Sequence, residues 1–161
     1  MINSAAIENA IYFENDGEID LLTGSMAPSR FDQTVKRDID LAKRNGDLLA
    51  IISARIELPE LIKNKYLNQP IEQVKLDVES LLIEINFKLK SILRSSDCIS
   101  RVSVTGFWIL INSASEENLE VLSERINNLF PHIIKIKVIQ RLKDQDQFSW
   151  YEKIDKEHFA G

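Results

Sequence analysis

The sequence predicts an α+β domain in which helices flank a central, mainly antiparallel sheet. Its apolar residues change between helical and strand-like spacing in the order helix, strand, helix, hairpin, helix, strand. Residues 99–104 and 107–111 are two short strand-like segments only two residues apart, a separation typical of a hairpin and therefore of an antiparallel pair. A chain of 161 residues is long enough for one domain with a single core.

Three segments have the apolar spacing of amphipathic helices. The first begins at Pro28 or Ser29 and ends at Gly46, because proline fits the first helical turn and glycine fits the position after the last one. The second carries a long apolar stripe over residues 74–92, and the third covers residues 119–129. We expect these helices to cover the sheet.

The remaining apolar segments predict strands and one short helix. Residues 48–52 are uniformly apolar, as in a strand that is covered on both faces. Apolar residues alternate with lysines over residues 134–138, as in a strand with one wet face. Thr105 and Gly106 are expected to form the hairpin turn because glycine tolerates positive φ, and a last helix is expected around Trp150.

Composition and charge exclude several classes of protein. Hydrophobic residues make up 44% of the chain, and no apolar run approaches the ~20 residues that cross a bilayer, so we expect no membrane insertion. A net charge of −5 argues against DNA or RNA binding, which needs clustered Lys and Arg. The only cysteine, Cys98, fits a reducing cytoplasm. His132 and His158 lack partners at metal-ligand spacing, so neither a metal nor another cofactor is expected.

Three short motifs in the sequence together resemble those of a known domain family. One is Asp-Leu-Leu-Thr-Gly, beginning at Asp20; another runs from Arg94 through two serines to Asp97; and the third, Ser-Val-Thr-Gly-Phe, begins at Ser103 after five intervening residues. Together they resemble a GGDEF diguanylate cyclase domain, in which an Arg-x-x-Asp inhibitory site precedes a Gly-Gly-Asp/Glu-Glu-Phe hairpin. The resemblance spans about residues 20–140 and implies the palm-like fold of nucleotide cyclases.

The resemblance also implies that the catalytic residues are replaced. Diguanylate cyclases condense two GTP molecules by phosphoryl transfer, which needs carboxylates that hold metal ions. The position of the strand-end metal carboxylate holds Arg55, and the two hairpin glycines and two hairpin acids are replaced in turn by Ser103, Val104, Thr105 and Gly106. A degenerate domain without synthase activity is therefore expected.

The inhibitory site, in contrast, matches in full. Arg94 and Asp97 match the family motif, and Arg125 matches a second arginine that the family's following helix supplies. A guanidinium can form paired bonds to guanine or phosphate, and a carboxylate can accept from guanine N–H groups. The resemblance thus implies binding of cyclic di-GMP. The alternative is a local Arg94–Asp97 ion pair worth about 0.2–0.5 kcal/mol beside an ordinary solvated arginine.

Other parts of the chain depart from the family. Residues 1–19 are predicted to be a polar lead-in, and residues 20–161 are predicted to be the degenerate GGDEF domain. About seven extra residues lie between Tyr66 and Glu79. The family's usual C-terminal helix motif is missing, and residues 147–161 are a poor substitute for it.

These observations favour a catalytically inactive receptor for cyclic di-GMP that signals by protein–protein contact. The expected partners are cyclic di-GMP, a protein partner and a second copy in a homodimer. The alternative is a scaffold that makes protein contacts without a ligand, and a third hypothesis is residual GTP binding through Glu79.

Overall fold

The computed structural model describes residues 3–159 of the chain. Six helices and four strands lie in this range. The helices are α1 (Ser4–Ala10), α2 (Pro28–Asn45), α3 (Leu58–Lys65), α4 (Ile71–Ile92), α5 (Glu116–Leu129) and α6 (Gln147–Phe159). The strands are β1 (Leu49–Ile56), β2 (Cys98–Ser103), β3 (Gly106–Asn112) and β4 (Ile134–Gln140). No helix in the described part of the chain is long and apolar enough to cross a membrane.

The four strands form one antiparallel sheet in the order β2-β3-β1-β4. The predicted α+β class with a central antiparallel sheet is therefore confirmed. β1 lies inside the sheet and pairs with β3 so that Leu49 is opposite Asn112 and Arg55 is opposite Gly106. This register places Gly106 and Asn112 at opposite ends of the sheet.

Helices cover both faces of the sheet, and each face has its own apolar cluster. One face packs against α1, α3, α4 and α5 in a cluster that includes Ile52 and Leu82. The other face packs against α2 and α6 in a cluster that includes Phe31, Ile51 and Trp150. Because neighbouring strand residues point to opposite faces, Ile51 and Ile52 bury β1 on both sides, as its apolar run predicts.

The predicted helix boundaries agree with the structure where they rest on capping residues. α2 begins at Pro28 and ends before Gly46, which adopts the left-handed conformation with φ of 72°. α5 begins after Ser115, whose side chain accepts a hydrogen bond from Asn118 N at 3.2 Å.

The predicted hairpin turn is wrong by one residue. Ser103 pairs with Gly106, so the turn consists of Val104 and Thr105 rather than Thr105 and Gly106. Gly106 is the first residue of β3, and its φ is not positive. The pairing register shifts between Arg101 and Ser103, and this irregularity moves the turn relative to a regular two-residue hairpin.

The prediction that β4 is buried on one face and exposed to solvent on the other is also wrong. Ile139 lies on the face that carries the β4 lysines and is buried, while Val138 on the other face is 38% exposed. Helix α6 causes this difference, because it covers the end of β4 and the indole N–H of Trp150 donates to Ile139 O at 3.3 Å.

Both terminal segments contribute to the cores. Ile7 and Ile11, from the predicted lead-in, are buried in the larger cluster with α3 and α4; where the domain begins along the chain stays a prediction. Helix α6 buries Trp150 completely, and Trp108 packs edge-on against Tyr151 with 4.9 Å between ring centroids. The expectation that residues 147–161 replace the C-terminal helix poorly is therefore wrong for α6.

We expect Ile7→Ala to lower the free energy of unfolding by about 2–5 kcal/mol, because a fully buried isoleucine would leave a cavity between α1, α3 and α4. Leu41→Ala is the control, since Leu41 is 41% exposed on α2 and its loss should cost far less. Urea denaturation measures both variants. A loss for Ile7→Ala as small as that for Leu41→Ala would contradict the packing of α1 against the core.

Candidate functional site

Arg94 and Asp97 lie in a tight turn between α4 and β2. The backbone closes this turn, because Asp97 N donates to Arg94 O at 3.0 Å. The Asp97 side chain closes it again: its Oδ2 accepts from Arg94 N at 3.1 Å, and its Oδ1 accepts from Asn112 N at 3.2 Å. One carboxylate therefore fastens the turn to the end of β3.

The two side chains of the motif differ in exposure. The Asp97 side chain is 3% exposed, whereas the Arg94 side chain is 56% exposed. Arg94 Nη2 donates to Asn112 O, and Arg94 Nε lies 3.7 Å from Asp97 Oδ2. The buried Asp97 carboxylate thus lies beneath the Arg94 side chain, and the guanidinium is the solvent-exposed part of the motif.

A second group of side chains supports the turn. Asn112 Nδ2 donates to Asp38 Oδ2 at 2.9 Å and to Ser96 O at 2.8 Å. Asp38, in turn, is 3.1 Å from Arg37 Nε on α2. Asn112 and Asp38 could not be predicted as site residues from the sequence, because neither belongs to a motif. The position of β3 brings Asn112 to Asp97, and the packing of α2 brings Asp38 to Asn112.

Arg125 lies on α5 and shares a depression with the motif. It is exposed and makes no ion pair with any residue in the described range 3–159. The depression has a volume of about 280 Å³ and contains Arg94, Asp97 and Arg125 together with Asn118 and four apolar residues. All three residues predicted for the inhibitory-type site therefore come together.

A second depression lies on the other side of Arg94. It has a volume of about 560 Å³ and shares Arg94 and Asp97 with the first. Arg30 and Lys90 also line it; Arg30 pairs with Glu18 at 3.2 Å. Arg94 thus stands between two depressions, and both are lined by further cationic side chains.

Cys98 borders the second depression but is not a reactive group. Burial, and then the negative charge of Asp38, raises the pKa of its thiol from 9.0 to about 12. The thiol therefore stays protonated at neutral pH, as expected of a cysteine packed in a strand.

Two basic side chains lie together at the end of β1, at the position that the sequence resemblance assigns to a metal-binding carboxylate. Arg55 Nη2 lies 3.3 Å from Glu57 Oε1, and Lys135, its neighbour on β4, lies 3.9 Å from the same oxygen. The hairpin covers this end, because Ile56 N donates to Thr105 O at 2.9 Å. Two basic side chains therefore share one carboxylate at this position.

Arg101 is a buried residue that the sequence analysis missed. Its Nε and Nη2 donate to Val104 O at 3.0 and 2.7 Å, and its Nη1 donates to Tyr12 O at 2.8 Å. Nη1 also lies 3.2 Å from Asp20 Oδ1, and both side chains are almost fully buried. Burial lowers the pKa of Arg101, an effect that Asp20 opposes. The guanidinium thereby ties the hairpin turn to the loop at Asp20.

The carboxylate of Glu79 also has partners within the protein. Its Oε2 accepts from Tyr12 N at 2.8 Å, and its Oε1 lies 3.4 Å from Lys75 Nζ. The segment after α1 therefore occupies the carboxylate that the GTP hypothesis needs. Over residues 3–159 no group of three or more His, Cys, Asp or Glu side chains is arranged to hold a metal ion.

Solved structures resemble this chain across almost its whole length. A GGDEF domain of DgcB from Caulobacter crescentus, in complex with cyclic di-GMP, has a TM-score of 0.75 at 12% identity and covers 92% of each chain. A microbial GGDEF domain studied with cyclic di-GMP has a TM-score of 0.72 at 15% identity, over 90% of this chain and 92% of the other. The FimX GGDEF domain of Pseudomonas aeruginosa has a TM-score of 0.68 at 12% identity, over 88% of this chain and 89% of the other.

This chain has the fold of a GGDEF domain. No protein-family model and no curated protein sequence matches it. In the GGDEF fold adopted here, the β2–β3 hairpin carries Ser103, Val104, Thr105 and Gly106 at one end of the sheet, beside Arg55. The turn with Arg94 and Asp97 lies at the other end, beside Asn112.

We expect Asp97→Ala to lower the free energy of unfolding by about 1–3 kcal/mol, because Arg94 N and Asn112 N would lose their acceptor. Arg125→Ala is the control and should change it by less than about 0.5 kcal/mol, because this arginine is exposed and unpaired. Urea denaturation of both variants checks the expectation. Equal stability of the two variants would show that Asp97 does not hold the turn.

Proposed function

We propose that this chain is a catalytically inactive GGDEF-fold domain that binds cyclic di-GMP and signals by protein contact. The observation that carries the proposal is the depression shared by Arg94 and Arg125, where two arginines face solvent on either side of an apolar floor. Two of the structurally similar GGDEF domains were studied with cyclic di-GMP.

The chemistry of the depression suits a guanine nucleotide. Arg94 and Arg125 supply planar donors for phosphate oxygens or for the O6 and N7 edge of guanine. The apolar floor, which includes Ile111 and Leu122, suits the face of a base. At about 280 Å³ the depression is close to the lower limit of ordinary ligand pockets, roughly 300 Å³, so it fits part of a dinucleotide. The neighbouring depression beyond Arg94 offers room for the rest.

Asp97 has a different role in this proposal from that of the arginines. Both of its oxygens accept backbone N–H groups, and its side chain is 3% exposed. It is therefore a positioning residue that fixes the backbone from which Arg94 projects. Contact between its carboxylate and guanine would require the turn to open.

The former catalytic end supports inactivity. A phosphoryl-transfer site needs carboxylates around a metal ion, but Arg55 and Lys135 both approach the single carboxylate of Glu57. Two positive charges at this point repel a divalent cation. Glu79, the acid of the GTP hypothesis, already accepts a hydrogen bond from Tyr12 N.

A ligand-independent scaffold is the second candidate function. The hydrogen bond from the Arg94 guanidinium to Asn112 O favours this candidate, because the protein itself supplies an acceptor for the arginine. In that case the Arg94–Asp97 turn would serve only to fasten the connection between α4 and β2 to the end of β3.

Isothermal titration of the chain with cyclic di-GMP separates these two functions. We expect the wild-type chain to bind, and Arg94→Ala and Arg125→Ala each to weaken binding by at least about tenfold, because each removes a charged donor. Arg55→Ala is the matched control, since Arg55 is a partly buried arginine at the other end of β1.

Each outcome of the titration has a definite meaning. Binding that Arg55→Ala leaves unchanged and Arg94→Ala removes would support the proposed site. Absence of binding by the wild-type chain would favour the scaffold. Binding that depends on Arg55 rather than on Arg94 would place the ligand at the hairpin end and contradict the proposed site.

We expect no cyclic di-GMP to form when the chain is incubated with GTP and Mg²⁺ or Mn²⁺. The reason is the pair of cations, Arg55 and Lys135, at the position where metal would bind. Chromatography of the nucleotides measures the product, with an active diguanylate cyclase as the positive control. Product above the protein-free blank would show that the chain is an enzyme.

A further inference from the structure

Helix α4 is apolar on two faces. Its inner face is buried in the larger core cluster through Val74, Val78, Leu82, Ile85 and Leu89. Its outer face carries Leu76, Ile83 and Phe87, which are 53%, 44% and 74% exposed. Ser80, also exposed, lies among them. Packing in the core accounts for the apolar residues on the inner face of α4 but not for those on its outer face.

The outer residues form one continuous seam. A helix turns about 100° per residue, so positions 76, 80, 83 and 87 fall within an arc of roughly 60°. Their spacing of four, three and four residues is that of a heptad seam, which packs against another helix. At 1.5 Å per residue the seam is about 16 Å long. A contiguous exposed apolar surface of this kind marks an interaction site.

Opposite charges stand at the two ends of the seam. Glu72 is exposed in the first turn of α4, and Lys90 is exposed in the last. Glu72 makes no ion pair with any other described residue. Lys90 Nζ reaches only the carbonyl oxygen of Gly24, at 3.4 Å. An antiparallel copy of the same helix would place each of these charges beside its opposite.

We propose that the outer face of α4 binds the same face of a second copy of this chain, with the two helices antiparallel. Leu76 of one copy then lies beside Phe87 of the other, and the small Ser80 lies beside Ile83 near the two-fold axis. The two-fold arrangement repeats every contact, as a symmetric dimer requires. This pairing goes beyond the proposed ligand site, although Lys90, at one end of the seam, also lines the second depression beside Arg94.

The charges at the ends of the seam favour antiparallel over parallel pairing of the two helices. A parallel pair would bring Glu72 against Glu72 and Lys90 against Lys90, and like charges in contact are destabilising. The antiparallel pair also opposes the two helix dipoles. The seam alone buries less than the ~1,200 Å² of an ordinary stable interface, so the dimer depends on concentration.

Sedimentation velocity over a concentration series tests the pairing. We expect the wild-type chain to move from monomer to dimer as its concentration rises. Phe87→Glu should weaken dimerisation by at least about thirtyfold, because it places a charge against the apolar side chain of Leu76 on both sides of the two-fold axis. Phe148→Glu is the control, since Phe148 is 77% exposed on α6, away from the seam. Both substituted positions are exposed, so circular dichroism should show a folded protein in each case.

A charge exchange tests the antiparallel orientation. Glu72→Lys and Lys90→Glu should each weaken self-association, because each brings like charges together at both ends of the seam. An equimolar mixture of these two variants should dimerise again, because every contact between them then joins opposite charges. A wild-type chain that stays monomeric at every concentration would overturn the proposal. So would a mixture of the two variants that associates no better than either variant alone.

Discussion

The buried guanidinium of Arg101 joins the parts of the chain that define the hairpin end. It donates to Val104 O in the turn, to Tyr12 O in the segment after α1, and to the carboxylate of Asp20. An uncompensated charge at full burial costs several kcal/mol, so these three partners must be present together. The turn, the loop at Asp20 and the first segment are therefore positioned as one unit. The ring of Phe13 covers this unit, 4.7 Å from the guanidinium carbon.

Much of the fold could be predicted because its signals are local. Periodicity and a capping glycine located α2, and the uniform apolar run located β1. The hairpin turn was misplaced because the irregularity after Arg101 depends on pairing with β3, which no local pattern records. The burial of Ile7 was missed for the same reason. A single isoleucine in a polar segment gives no local sign of burial, because its burial depends on α3 and α4 lying beside it.

The candidate site was predicted less completely than the fold. Family-like spacing identified Arg94, Asp97 and Arg125, and the structure places them around one depression. Spacing could not indicate that Asp97 is turned inward, because that orientation depends on Asn112, which is fifteen residues away and not part of the motif. The role of Arg101, which lies between two motifs, could not be predicted. Its partners are mainly backbone oxygens, and these do not depend on residue type.

The register of β3 keeps the two ends of the sheet structurally separate. Leu49 and Arg55 are six residues apart on β1, about 20 Å at 3.3 Å per residue. Their partners, Asn112 and Gly106, are separated to the same extent, so the Arg94 turn and the hairpin share a strand but no side-chain contact. Substitutions at such distances act almost independently on stability. The cations around Arg55 therefore do not disturb the packing of the arginine-lined depression at the other end of the sheet.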